Sequence, residues 1–195
     1  MTMGPNNELF FEMGVNGIGG GAYEGNIIKL NFNTDTFTKY HLTNAHCSNP
    51  LVFDSSGNLY AEGNAGFVCK IDFSSNTVTT WDLGQTETGG VSFDYFDIDQ
   101  NNNIFASIQT HQKIAKVDQS SNLVTVWLIP DAQEGPFDIA ADSSGNVFFQ
   151  AGNKFWRLVP ATDTFTKWDN FAMQNLDMDG NTLWGFTHNA AWKLT

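Results

Sequence analysis

The sequence predicts an all-β protein, a β-propeller of four-stranded blades with about five blades, and three observations carry that prediction. Turn-forming segments recur at near-constant spacing: DSSGN at 54–58, DQNNN at 99–103, DSSGN at 142–146 and DMDGN at 177–181. After each turn comes an aromatic-bearing strand, and then a second strand that carries a basic residue in one fixed column. Thr, Val, Ile, Phe and Trp fill these runs in near alternation, while Asn, Asp, Ser and Gly fill the gaps. That division is strand and turn chemistry, and no longer stretch shows helical periodicity. A β-sandwich would also use short strands, but it has no need to repeat one column of residues in every unit.

With the strands of a blade named A to D from the innermost outward, the elements follow in order. The first blade shows a B strand in ELFFEMG (8–14), a C strand in IIKLNF (27–32) and a D strand in FTKYHL (37–42), and is expected to lack an A strand. In the second, an A strand after Pro50 leads to LYAEG (59–63), VCKIDF (68–73) and VTTWDL (78–83). The third continues with IFASI (104–108), IAKVDQ (114–119) and VTVWLI (124–129). The fourth runs from Pro136 through VFFQA (147–151), FWRLVP (155–160) and FTKWDN (165–170). A fifth ends with LWGFT (183–187) and AWKLT (191–195), without a D strand. The blades are therefore expected at about 1–49, 50–90, 91–135, 136–172 and 173–195, within one domain spanning 1–195. Lys29, Lys70, Lys116, Arg157 and Lys193 form one column, and Tyr40, Trp81, Trp127 and Trp168 another. What recurs in every blade is most economically explained by packing, so both columns and the Asp-led turns are read as scaffold. In those turns the Asp side chain is expected to accept backbone amides while Gly or Asn takes the left-handed position.

Composition narrows the function. Hydrophobic residues are 41% and charged residues 15% of the 195, which excludes a disordered chain and a coiled coil. The formal net charge of -12 argues against nucleic acid and anionic membrane as partners, and leaves cations and basic partners open. No apolar run approaches a membrane-spanning length, and Met1 to Gly14 has no basic start or apolar centre of a secretory signal, so the cytoplasm is the expected location. Two cysteines are too few for a disulfide scaffold, and Cys47 and Cys69 are read as unpaired small apolar residues.

The segment IAKVDQSSNLVTVWLIPDAQEGPFDIAADSSGNVFFQAG, residues 114–152, is the fullest copy of the repeat. Its order of I-x-[KR]-[ILV]-D, V-T-x-W and P-x-x-I-x-x-D-S-x-G-N resembles the propeller repeats of the streptogramin lyase (virginiamycin B lyase) family and related NHL-type propellers. The resemblance implies the fold, and it implies a seven-bladed ring. This chain would then be either a compact five-bladed ring or an open part of a larger one, whose free strand edges favour a homo-oligomer. It also implies a catalytic His directly after Pro at the start of an A strand, a magnesium ion, and a Glu at the end of a B strand. Here Leu51 and Phe137 follow Pro50 and Pro136, whereas Glu12 and Glu62 match the glutamate.

Candidate site residues are those that do not recur. Because propeller strands alternate in direction, the B-to-C and D-to-A loops emerge on one face, and these are the variable ones: 13–25, 43–50, 84–90 and 130–136. His46, His111 and His188 fall on that face and are candidate proton carriers or metal ligands. Glu12 and Glu62 close two B strands beside it and are candidate ligands for Mg2+ or Ca2+. Tyr23 and Glu24, at the end of the glycine-rich loop, join them as candidate ligand-binding residues. The GIGGG run within that loop precedes a strand, not a helix, which excludes a dinucleotide loop. Asp97, Asp99, Asn101 and Asn103 have the opening spacing of an EF-hand loop but lack its Gly and distal Glu. The expected function is non-catalytic binding of a small molecule or protein on the loop face. The alternative is a magnesium-dependent lyase that opens a cyclic peptide ester.

Overall fold

Runs of β-branched and aromatic residues divided by Asp-led turns become antiparallel strands paired with their sequence neighbours. The structure is a computed structural model that describes the chain apart from residues 13–24, 43–46, 64–65, 76, 84–92, 131–133, 172, 180–181, 188–189 and 195, and apart from the side chains of residues 25, 48, 49, 93 and 94. It separates into two units, 1–90 and 91–195. The first unit holds two four-stranded sheets: β1 (Thr2–Gly4), β2 (Glu8–Glu12), β3 (Gly25–Asn31) and β4 (Thr36–Leu42), then β5 (Cys47–Phe53), β6 (Leu59–Gly63), β7 (Phe67–Asp72) and β8 (Thr77–Asp82). The second holds β9 (Phe93–Ile98), β10 (Ile104–Ile108), β11 (Lys113–Asp118) and β12 (Leu123–Leu128), followed by β13 (Pro136–Ala141), β14 (Val147–Ala151), β15 (Lys154–Val159) and β16 (Thr164–Trp168). Its last sheet has three strands, β17 (Gln174–Asp179), β18 (Thr182–Thr187) and β19 (Ala190–Leu194). These are five blades of a propeller, each in simple chain order.

Two expectations are corrected. The first blade does have an A strand: Thr2, Met3 and Gly4 pair with Phe10, Leu9 and Glu8. A three-residue strand carries no alternation to detect, and its turn is built differently, with Asn7 at φ 58°. Gly4 is needed there, since a Cβ would meet the Phe10 ring. The cysteines are not free. Cys47 and Cys69 form a disulfide with Cα atoms 6.1 Å apart, both 1% exposed. They sit on β5 and β7, on either side of β6, opposite Gly63 and Ala61 respectively. A Cβ on Gly63 would stand 3.1 Å from the Cys69 sulfur, so the bridge depends on small residues in the strand between.

The repeated turns behave as their chemistry demands. Asp54 Oδ1 accepts from the amides of Ser56 at 2.9 Å and Asn58 at 2.8 Å, and Oδ2 from the Asn58 side chain at 2.7 Å. Asp99 and Asp142 repeat all three bonds with Asn101 and Asn103, and with Ser144 and Asn146. Gly57, Asn102 and Gly145 take the positive φ. The EF-hand-like spacing around Asp99 is therefore an Asx turn whose carboxylate faces amide donors. The basic column is explained as well. Lys70, Lys116 and Lys193 lie directly across from Tyr60, Phe105 and Trp184 on the neighbouring strand, with Nζ 5.6, 6.0 and 5.3 Å from the ring centroids. Lys29 and Arg157 stand in the same register opposite Phe10 and Phe148.

Candidate functional site

The loop face is formed by strand ends and their connections, so its geometry follows from where each strand stops. His46, His188, Tyr23 and Glu24 lie outside the described residues. Glu12 ends β2 opposite Ile27, and Glu62 lies on β6 opposite Ser48 and Val68. Both are half-buried and belong to the first unit. His111 belongs to the second, where it closes a 3-10 turn over Gln109–His111 with its Nδ1 2.9 Å from Thr110 Oγ1. Gln112, at φ 55°, ends the turn, and its carbonyl accepts the amide of Ile129 at 2.9 Å.

That turn is locked to its neighbours by close backbone approach. Gly135, in the loop between β12 and β13, packs so tightly on Gln109 that a Cβ there would run into the Gln109 carbonyl. One residue earlier, Glu134 lies against Gly152, which takes φ 60° in the connection after β14. Gly152 in turn accepts a hydrogen bond at 2.8 Å from the side-chain amide of Gln150. The chain of contacts runs from the His111 turn through Gln109, Gly135, Glu134 and Gly152 to Gln150. At its end Gln150 is 7% exposed, and its Oε1 has no hydrogen-bond partner among the described residues. A buried acceptor left this way favours any donor that can reach it.

Gln150 stands in the B-strand column of Glu12, Glu62, Ser107 and Phe186. Of the two polar members in the second unit, Ser107 is satisfied, donating to the Tyr95 carbonyl at 3.1 Å. Sequence reading passed over Gln150, because its distinguishing property is burial without a partner. The one signal in the sequence is that this column is polar in four of its five members, with Phe186 the exception.

The inner strands of this unit carry a second polar feature that the repeats do not announce. Asp97 on β9 accepts from the amides of Ile98 and, in the next sheet, Ala141, both at 2.8 Å. Asp138 on β13 accepts from Ile139 at 3.1 Å and, again one sheet on, Leu176 at 2.7 Å. Asp138 reaches across because it sits in a bulge of β13 at φ 46°. Burial pushes the Asp97 carboxyl up to about 6, the two amides opposing and the charges of Asp177 and Asp99 adding to the rise. Asp138 is raised by burial in the same way. These carboxylates strap one sheet to the next. Among the described residues, no three His, Cys, Asp or Glu side chains stand together in a way that could hold a metal ion.

No protein family matches the chain, and no curated protein does. Solved structures do. Virginiamycin B lyase from Staphylococcus aureus superposes with a TM-score of 0.70 at 15% identity, over 99% of this chain and 68% of that one. A catalytically inactive histidine-to-alanine variant of that lyase with quinupristin gives 0.66 at 14%, over 98% and 82%. An extracellular domain of a one-component system from B. thetaiotaomicron gives 0.70 at 14%, over 99% of this chain and 28% of that one. At such identities the likeness establishes the propeller fold that the repeats predicted.

Proposed function

We propose that this protein is a non-catalytic binding propeller whose variable-loop face holds a ligand, a small molecule or a protein segment, through its hydrogen-bond donors. The observation that carries this reading is Gln150, whose buried Oε1 waits for a donor at the end of a rigidly packed string of loop contacts. Sites that recognise by hydrogen bonding are built from such fixed polar groups in packed surroundings. Against catalysis stand Leu51 and Phe137. In the fold relatives' family a proton-carrying His is expected directly after Pro at the start of an A strand. Here Leu51 is 5% exposed and packs into the core of the first unit, and Phe137 pairs with Gln150 itself.

Two experiments test the proposal. The first incubates the protein with quinupristin and magnesium and follows the ring by mass spectrometry. The expected result is intact substrate; ring opening that disappears in His46→Ala, His111→Ala or His188→Ala would overturn the proposal in favour of the lyase. The second screens small primary and secondary amides by NMR, reading the side-chain NH2 signals of Gln109 and Gln150. Binding is expected in the parent and lost in Gln150→Leu, whose apolar side chain keeps the volume and removes the acceptor. Equal binding in both would move the site elsewhere.

A further inference from the structure

The cavity between the fourth and fifth sheets is a second site, and we propose that it binds a small aryl carboxylate. It has a volume of about 610 Å³, within the range of small-molecule sites, and lies wholly in the second unit. Its walls are Phe148, Phe155 and Trp168 on one side and Phe171, Met178 and Leu183 on the other.

Two equivalent grooves in the same molecule show what this position takes. In the first unit, the turn after β7 brings Phe73 against the preceding sheet, its ring centroid 4.3 Å from Tyr40 and 5.4 Å from Phe10. In the second, the turn after β15 brings Pro160, Ala161 and Asp163 over Lys116 and Trp127. There Trp127 Nε1 donates to Asp163 Oδ1 at 2.7 Å. One groove thus receives an aromatic ring, and the other a carboxylate that borders a remaining cavity of about 420 Å³. The groove at the fifth sheet has the same floor, with Phe148 in the place of Phe10 and Phe105, Trp168 in that of Tyr40 and Trp127, and Arg157 in that of Lys29 and Lys116.

Arg157 sets the ligand class. It is the one arginine in a column of lysines, and its Nε is buried without a hydrogen-bond partner among the described residues. A guanidinium offers a planar fork that matches a carboxylate, which an ammonium does not. Asp169 also lines the cavity, at its rim, with its side chain 59% exposed and 3.9 Å from the Lys154 ammonium that offsets its charge. A ring on a short carboxylate arm combines the two occupants seen in the sister grooves.

The test titrates the protein with 1-naphthylacetate by calorimetry, with neutral 1-naphthylacetamide as its isostere. Saturable binding of the acid is expected, with the amide at least about tenfold weaker and the Trp168 indole N–H resonance shifting on addition of the acid. Arg157→Lys restores the residue of the other four blades, so it is expected to fold and to bind several-fold more weakly. Arg157→Met is expected to lose at least about tenfold. Leu194→Glu, on the 43%-exposed wall residue, sets a like charge against the ligand without touching the core and should do the same. Acid and amide binding equally, or acid binding unchanged in Leu194→Glu, would overturn the proposal. So would displacement of the acid by a cyclic peptide of residues 158–165, which would assign the groove to a polypeptide turn.

Discussion

Asp97 carries a strongly displaced ionisation in the second unit. Its carboxyl stands near 6 in the folded protein against an ordinary 3.8, first because it is buried. The native state therefore binds that proton more tightly than the unfolded chain does. The resulting stabilisation is full below about pH 4 and is lost as pH rises through about 6, with an amplitude of about 3 kcal/mol. Urea midpoints measured from pH 4.5 to 7 should show the parent losing stability relative to Asp97→Asn as pH rises; a constant difference would refute the coupling. Exposed turn carboxylates act in the opposite direction at lower pH: the side-chain and backbone bonds from Ser74 and Ser75 hold Asp72 down near 2. The Asx turns were legible residue by residue, because their bonds are local. The straps of Asp97 and Asp138 were not, since their second amides lie 44 and 38 residues away.

Elements lock to one another through small contacts that can be measured. The indole of Trp127 on β12 reaches Asp163, in the turn of the next sheet. A double-mutant cycle over Trp127→Phe and Asp163→Ala is expected to give a coupling of about 1 kcal/mol, and a cycle that closes to zero would show that the bond contributes nothing. Gly135 is a stricter lock. Gly135→Ala forces the loop off the Gln109 backbone, so it should lower stability by about 2 kcal/mol or more in urea titrations and weaken amide binding at Gln150 as well. Strand identity was readable wherever five or more residues alternated or shared a column. β1 escaped because it is three residues long and its pairing is decided by the strand it meets. The role of the basic column became clear only from register: a lysine across from an aromatic ring is a cross-strand pair, which no linear spacing displays.

The whole molecule is acidic and cross-linked once. With a net charge of -12 at pH 7 and a pI near 4.4, its solubility at low salt is expected to pass through a minimum close to the pI and to recover on either side. The disulfide closes a separation of 22 residues within the first unit, and reduction should cost about 3 kcal/mol, read as a lower urea midpoint with dithiothreitol. Alkylation of the denatured, unreduced protein taken from its cells also reports the compartment: two labelled thiols fit the expected cytoplasm, none an oxidising space. From sequence alone came the all-β class, the propeller repeat, the Asp-led turns and the scaffold columns. All of these rest on local preference and on copies compared with one another. Tertiary structure alone decided the Cys47–Cys69 bridge, the strapped inner strands, the buried acceptor of Gln150 and the cavity at Arg157. Each depends on which distant groups are brought within bonding distance and which are left without a partner, and neither is a property of neighbours along the chain.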